Sequence, residues 1–319
     1  MAKRVEHLTD LLADSPKNWG RWGPDDEIGS LNFLTAEEVL RGIRSVERGK
    51  TFPLAIQIGA PKGDPLWPGR SPAGHYMCQD KGSYESGKTS PELGGVEFAD
   101  DVLMINCHGT THCDGLAHSW YGDRAWNGYP ASESKGGLSK AGILPIAEKG
   151  IVGRAVLLDV ARHQGVPHLR MHQQITLGDL LDTASSQGIE ICRHDILLVR
   201  TGILDVFYDL GPKAYFDDFD EPGITYEPEL IKWFHEMEIP VYGTDTLGNE
   251  QLNSSTVEAV FSVHAALSRN LGVVFVEVLA LKAWAEDCSR DGKYDALFVG
   301  SPLKIVGGTA SPINPIVIK

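Results

Sequence analysis

The 319-residue chain predicts an α/β fold in one domain, and three observations carry that expectation. Short apolar runs of strand length alternate with helical patterns from one end to the other. Hydrophobic residues make up 42% and charged residues 23%, the balance of a chain that buries a core. No shift in composition marks a boundary, so residues 1–319 are taken together as one domain.

The elements follow in order. Thr35, with Glu38 three residues on, is a capping box that opens a helix over 36–48. Residues 59–95 are rich in Gly, Pro and Ser and predict a long excursion of the functional or assembly kind. Apolar runs at 102–107, 153–160, 195–200, 240–243, 273–278 and 296–299 predict strands. Thr176 and Asp179 open a helix over 177–186 in the same way as Thr35 and Glu38. Pro228 suits the first turn of a helix running to 237. Over 257–270, Val257, Val260, Phe261, His264 and Leu267 recur at helical spacing, an apolar stripe broken by one histidine.

Charge narrows the function. Lys and Arg number 29 against 43 Asp and Glu, a net charge of −14, which excludes a basic nucleic-acid footprint. The apolar runs fall far short of the ~20 residues that span a bilayer, so no membrane partner is expected. Residues 1–14 lack the apolar stretch of a secretion signal. The five cysteines are widely spaced with no C-x-x-C pair. Together these predict reduced thiols and a cytoplasmic protein.

The strongest motif is NCHGTTHCDGLAH, residues 106–118. It places His108, His112, Asp114 and His118 at even offsets, so an extended chain would turn all four to one face. Imidazole and carboxylate in such a set suit Zn²⁺, Mn²⁺ or Fe²⁺, and three protein ligands leave positions open for water and substrate. Glu277 lies inside VVFVEVLAL, where a buried carboxylate needs a partner: a metal, an Arg or a His. His264 is either a ligand or a hydrogen-bonded core residue. Asp245 suits a turn and Arg200 an ion pair. Among the aromatic residues, Trp22, Trp120 and Tyr121 are candidates to line a pocket for a flat, ring-containing small molecule. No G-x-S-x-G, G-x-G-x-x-G, G-x4-G-K-[ST] or H-E-x-x-H occurs, so a serine nucleophile elbow, a nucleotide cradle and a zincin site are all missing.

This motif resembles that of the cyclase family of metal-dependent hydrolases, which includes bacterial-type kynurenine formamidases and isatin hydrolases. WGRWGPDDEIGSLN at 19–32, ILLVRTG at 196–202, YGTDTLGNE at 242–250 and GGTASPINP at 307–315 are similar to segments of its longer-chain branch, in the same order around the motif. The resemblance implies a swivelling β/β/α fold, a mixed sheet with flanking helices, and a homodimer or homotetramer. It implies hydrolysis of a C–N bond in a small cyclic amide, imide or N-formyl amide. His108, His112 and Asp114 match the ligands of a first metal, and His118 matches the general acid/base. Asp114, His264 and Glu277 match a second site, so one or two ions of Zn²⁺ or Mn²⁺ are implied. Gly115-Leu116 stand where the family has a small residue and Pro. Two alternatives stay open: a non-haem metal oxidoreductase, and a non-catalytic metal-binding protein of the same fold.

Overall fold

Four buried apolar runs lie side by side and parallel at the centre of a mixed sheet. The structure is a computed structural model that describes residues 3–4, 7–254 and 256–319. Among the described residues, the large sheet has β1 (Thr51–Pro53), β2 (His112–Asp114), β3 (Ile151–Asp159), β4 (Ile196–Arg200) and β5 (Val241–Thr244). It continues with β6 (Val274–Glu277), β7 (Asp295–Gly300), β8 (Ala310–Pro312) and β9 (Ile316–Ile318). Their spatial order is β8-β2-β6-β5-β4-β3-β7-β9-β1. The strands β3 to β6 pair in parallel. Antiparallel wings extend the sheet on both sides.

The parallel strands are apolar without alternation because both faces are covered. Ala155 and Leu157 of β3, Ile196 and Leu198 of β4, and Val274 and Val276 of β6 enter one core. Helices Ile143–Lys149 and Lys282–Asp291 close that core with Ile143, Ile146, Trp284 and Cys288. Val156, Leu158, Leu197, Val199 and Phe275 enter the other. Helices Leu177–Gln187, Pro228–Glu236 and His264–Leu271 close it with Leu180, Leu230, Phe234 and Leu267. Each such side chain contributes about 1.5–3 kcal/mol when fully buried. The α/β expectation, with a mixed sheet and flanking helices, agrees with this arrangement.

Local signals account for most boundaries. Thr176 accepts from Asp179 N and Asp179 accepts from Thr176 N, the reciprocal box expected there. Thr35 caps its helix by accepting from Glu37 N, and that helix, Ala36–Arg44, stops short of the expected 48. The helix expected over 257–270 starts late, at Ser262. Val257–Glu258 is a strand beside Lys3–Arg4, and the helix runs from Ser262 to Leu271, with His264–Leu271 wound as a π-helix. Phe261 has φ +56°, a left-handed conformation that no helix can continue through.

The excursion is also longer than expected. Gly74–Gln79 pairs with Asp100–Met104 in an antiparallel hairpin outside the large sheet, with the short helix Lys81–Glu85 at its tip. The run expected at 102–107 is therefore one leg of an exposed arm rather than a core strand. An apolar run signals a strand without saying what covers it. No helix among the described residues is long and apolar enough to cross a membrane.

Candidate metal centre

The motif at 106–118 converges by turns as well as by strand parity. Only His112–Asp114 is extended, as β2. Upstream, Gly109 N bonds Asn106 O at 2.8 Å, a turn that carries His108 back over the strand. Downstream, His118 N bonds Gly115 O at 3.0 Å and brings His118 round the other side. The fully extended motif expected from the even offsets is thus replaced by a three-residue strand between two turns. The four side chains still meet.

Sheet register supplies the fifth group. β2 pairs antiparallel with β6, Cys113 opposite Val276 and His112 opposite Glu277. Cys113 and Val276 face the core that contains Trp284. Alternation then turns His112, Asp114 and Glu277 together to the opposite face, at the carboxyl end of a parallel strand.

The distances define two groups that share Asp114. His108 Nε2 lies 3.3 Å from Asp114 Oδ1 and His118 Nε2 lies 3.6 Å from Asp114 Oδ2. His112 Nε2 lies 3.6 Å from Asp114 Oδ1 and 3.0 Å from Glu277 Oε2. His108, Asp114 and His118 form one set with metal-binding spacing; His112, Asp114 and Glu277 form the other. His264 stands behind Glu277, its Nε2 3.4 Å from Glu277 Oε1.

Buried polar atoms here lack partners. His108 Nε2, His112 Nε2, both oxygens of Asp114 and Glu277 Oε1 accept or donate no hydrogen bond. Leaving five such atoms dry and unpaired would cost about 1–3 kcal/mol each. Their convergence fits a cation that they would ligate directly. The ring of His112 is already set for this: Nδ1–H donates to Thr110 O at 2.7 Å, which leaves the Nε2 lone pair toward the carboxylates.

Electrostatics point the same way. Burial pushes the Asp114 carboxyl up, but His118, His108 and His112 outweigh it and hold it well below the usual carboxylate range. Burial and Asp114 raise Glu277, and His112 and His264 bring it below its ordinary value. Burial, with the neighbouring His108 and His264, lowers His118 to about 4 against the pull of Asp114 and Glu277, so its imidazole is neutral near pH 7. His264 is opposite. Burial lowers it, yet Glu250 and Glu277 on its two sides raise it to about 10.

Glu250 is a site residue that no sequence signal singled out. One oxygen lies 2.5 Å from His264 Nδ1. The same carboxylate accepts from the backbone N–H of Val263 and of His264 at 2.9 and 2.8 Å. It therefore caps the start of the π-helix and fixes the ring of His264.

A cavity of about 510 Å³ opens above the centre. His108, His118, His264 and Glu277 reach its floor. Trp67, Phe261 and Trp120 supply its aromatic wall, and among the described residues Arg70 is its one guanidinium. Trp67 and Arg70 come from the Gly/Pro-rich excursion. Of the expected pocket aromatics, Trp120 lines the cavity and two do not. Trp22, partly buried, packs against the core on Phe33 and Trp126, and Tyr121 bonds Asn270 beneath the Arg269 guanidinium. Asp245 accepts from Thr201 N, Thr201 Oγ1 and Gly202 N, and Arg200 pairs with Asp159 and Asp205. Both hold strand ends and stand outside the centre.

Comparison with known proteins agrees with this geometry. A structure described as a novel cyclase is 34% identical, covers 95% of this chain and 100% of its own, and superposes with a TM-score of 0.87. Isatin hydrolase A from Ralstonia solanacearum is 20% identical over 85% of this chain and 92% of its own, with a TM-score of 0.60. A potential metal-dependent hydrolase with cyclase activity is 18% identical over 84% of this chain and 96% of its own, with a TM-score of 0.51. The last two share the fold. No curated protein matches the sequence. Residues 51–251 match the family model described as Putative cyclase, a span that runs from β1 through the histidine motif to Glu250. With that match over most of its length and a 34% identical relative over nearly all of it, the chain belongs to the cyclase family.

Proposed function

We propose that this chain is a metal-dependent hydrolase of a C–N bond in a small cyclic amide, imide or N-formyl amide. The observation that carries the reading is the pair of ligand sets sharing Asp114, with unpartnered nitrogens and oxygens at the floor of an aromatic-walled cavity. The isatin hydrolase and metal-dependent hydrolase folds among its structural neighbours support it.

Asp114 would hold one ion with His108 and a second with His112 and Glu277, either Zn²⁺ or Mn²⁺, which leaves His118 to move the proton. An ion held there supplies a Lewis acid and lowers the pKa of water toward neutrality. The remaining steps belong to the chain. Trp67, Phe261 and Trp120 seat a flat apolar substrate with its carbonyl toward the centre. Neutral His118, on the cavity wall, takes a proton from the attacking water and returns it to the leaving nitrogen. The balance is one water consumed, one C–N bond broken, and one carboxylate formed together with an amine, or with an amide where the substrate is an imide.

His118 also has a second reading, because its Nε2 lies in the same set as His108 and Asp114. As a ligand it would bind metal rather than move protons. Metal content measured beside rate distinguishes the two.

The test is removal and return of metal. Chelator-treated protein should lose hydrolysis of formanilide and isatin, and Zn²⁺ or Mn²⁺ should restore it. Full activity in metal-free protein contradicts the proposal. Oxygen uptake during turnover would favour the oxidoreductase alternative. Bound metal with no turnover across amides, imides and lactones would favour a non-catalytic binder.

A further inference from the structure

Arg70 stands apart from the ligand sets. It lies on the excursion, is more than half buried, and lines the cavity beside His108 and Glu277. One nitrogen donates to the backbone carbonyl of His108 at 2.7 Å, which ties the guanidinium to a ligand of the centre. Its remaining donors have no partner among the described residues. Asp114 and Glu277 are close enough to favour its charge but form no ion pair with it. Burial works against that charge. A planar fork of free donors, held at the edge of a metal centre under an aromatic wall, matches a carboxylate.

We propose that Arg70 is the anion-recognition residue of the cavity, and that the ligand is a flat, ring-containing molecule bearing a carboxylate beside the reacting bond. This deepens the hydrolase reading and rests on it for the reaction, but not for the binding. Two sources give the same chemistry. The carboxylate is already on the substrate, or hydrolysis of a neutral cyclic amide creates it. In either case the chain's net charge of −14 and the nearby Asp114 and Glu277 would repel that group without a local cation.

The probe is benzoate, with benzamide as its neutral counterpart, titrated by calorimetry into metal-loaded wild type, Arg70→Met and Arg70→Lys. Metal content is measured in each preparation. Any share of affinity due to the metal is common to all three. Benzoate should bind wild type and lose about 10–100-fold in affinity in Arg70→Met, the usual worth of a charge-assisted fork. Arg70→Lys keeps a charge without the fork and should fall between. Benzamide should change less than about threefold, because the neutral amide cannot replace the anion at the fork. Three results overturn the proposal: no benzoate binding to wild type, unchanged benzoate affinity in Arg70→Met, or an equal loss for benzamide. Should Arg70→Met lose metal, Arg70→Lys carries the comparison alone.

Kinetics separate the two sources. A raised KM for N-formylanthranilate but not for formanilide places the carboxylate on the substrate. An unchanged KM for isatin with weaker inhibition by its ring-opened product places it on the product. Because the titration needs no turnover, a chain that binds benzoate through Arg70 yet hydrolyses nothing would sink the hydrolase reading and leave this proposal standing.

Discussion

Glu277 closes an apolar strand, and its neighbours account for why a carboxylate is tolerated there. One oxygen faces His112 and the other faces His264, which is itself gripped by Glu250. Glu250→Gln keeps the shape but loses the charge that fixes the His264 ring. Metal affinity should fall by about 10–100-fold, the usual effect of losing the partner of a ligand-side histidine. Equilibrium dialysis against Zn²⁺ or Mn²⁺ reads this without any assay of activity. An unchanged affinity would leave Glu250 as a helix cap only. His118→Ala carries the matching question for catalysis. As proton carrier it should keep its metal and fold while kcat drops by about 10²–10⁴. Loss of metal in step with rate would make it a ligand.

At the scale of elements, the loop after β5 shapes the cavity through Leu247 and Gly248. Glu221 holds that loop from behind. Both of its oxygens accept from Leu247 N at 2.8 Å, and the Tyr215 hydroxyl donates to one of them. Burial raises Glu221 to about 8 against the hydrogen bonds of Tyr215 and Leu247, which lower it. A carboxyl raised in the folded state holds its proton there after the unfolded chain has released it. Its contribution is complete at low pH and declines as pH climbs from the ordinary value of 4.5 toward about 8. Glu221→Gln mimics the protonated form and removes this slope. Its melting temperature relative to wild type should rise steadily between pH 5 and pH 8.5, and a constant difference would contradict the assignment. Legibility differs among these elements. The histidine cluster was readable because its ligands lie within one short stretch, and Glu277 because charge inside an apolar run is conspicuous. Arg70, Trp67, Glu221 and Glu250 sit in loops with no periodicity, and only tertiary structure brings them to the cavity. The stripe over 257–270 begins ahead of its helix because apolar spacing cannot register the left-handed turn at Phe261.

At the scale of the molecule, the α/β alternation and the excursion followed from the sequence, while the parallel centre of the sheet and the hairpin of the excursion did not. The hairpin exposes Tyr76, Met77, Val102, Leu103 and Met104, apolar side chains on both faces of a two-stranded ribbon. Such a ribbon is marginal alone, and contiguous exposed apolar surface marks an interaction site. We propose that a second copy of the chain covers this arm, as the contact of the expected homodimer or homotetramer. Light scattering should give a dimer or tetramer for wild type and a smaller species for a Val102→Glu, Leu103→Glu double variant. A monomeric wild type, or an unchanged mass in the variant, would contradict that placement.

The central claim is that Asp114 is shared by two ligand sets at the cavity floor. Elemental analysis of metal-reconstituted wild type and Asp114→Ala, purified in parallel, tests it most directly. The account predicts one or two divalent ions per wild-type chain and none retained by Asp114→Ala, because removing the shared carboxylate breaks both sets together. An Asp114→Ala protein that keeps the full wild-type complement of metal would contradict it.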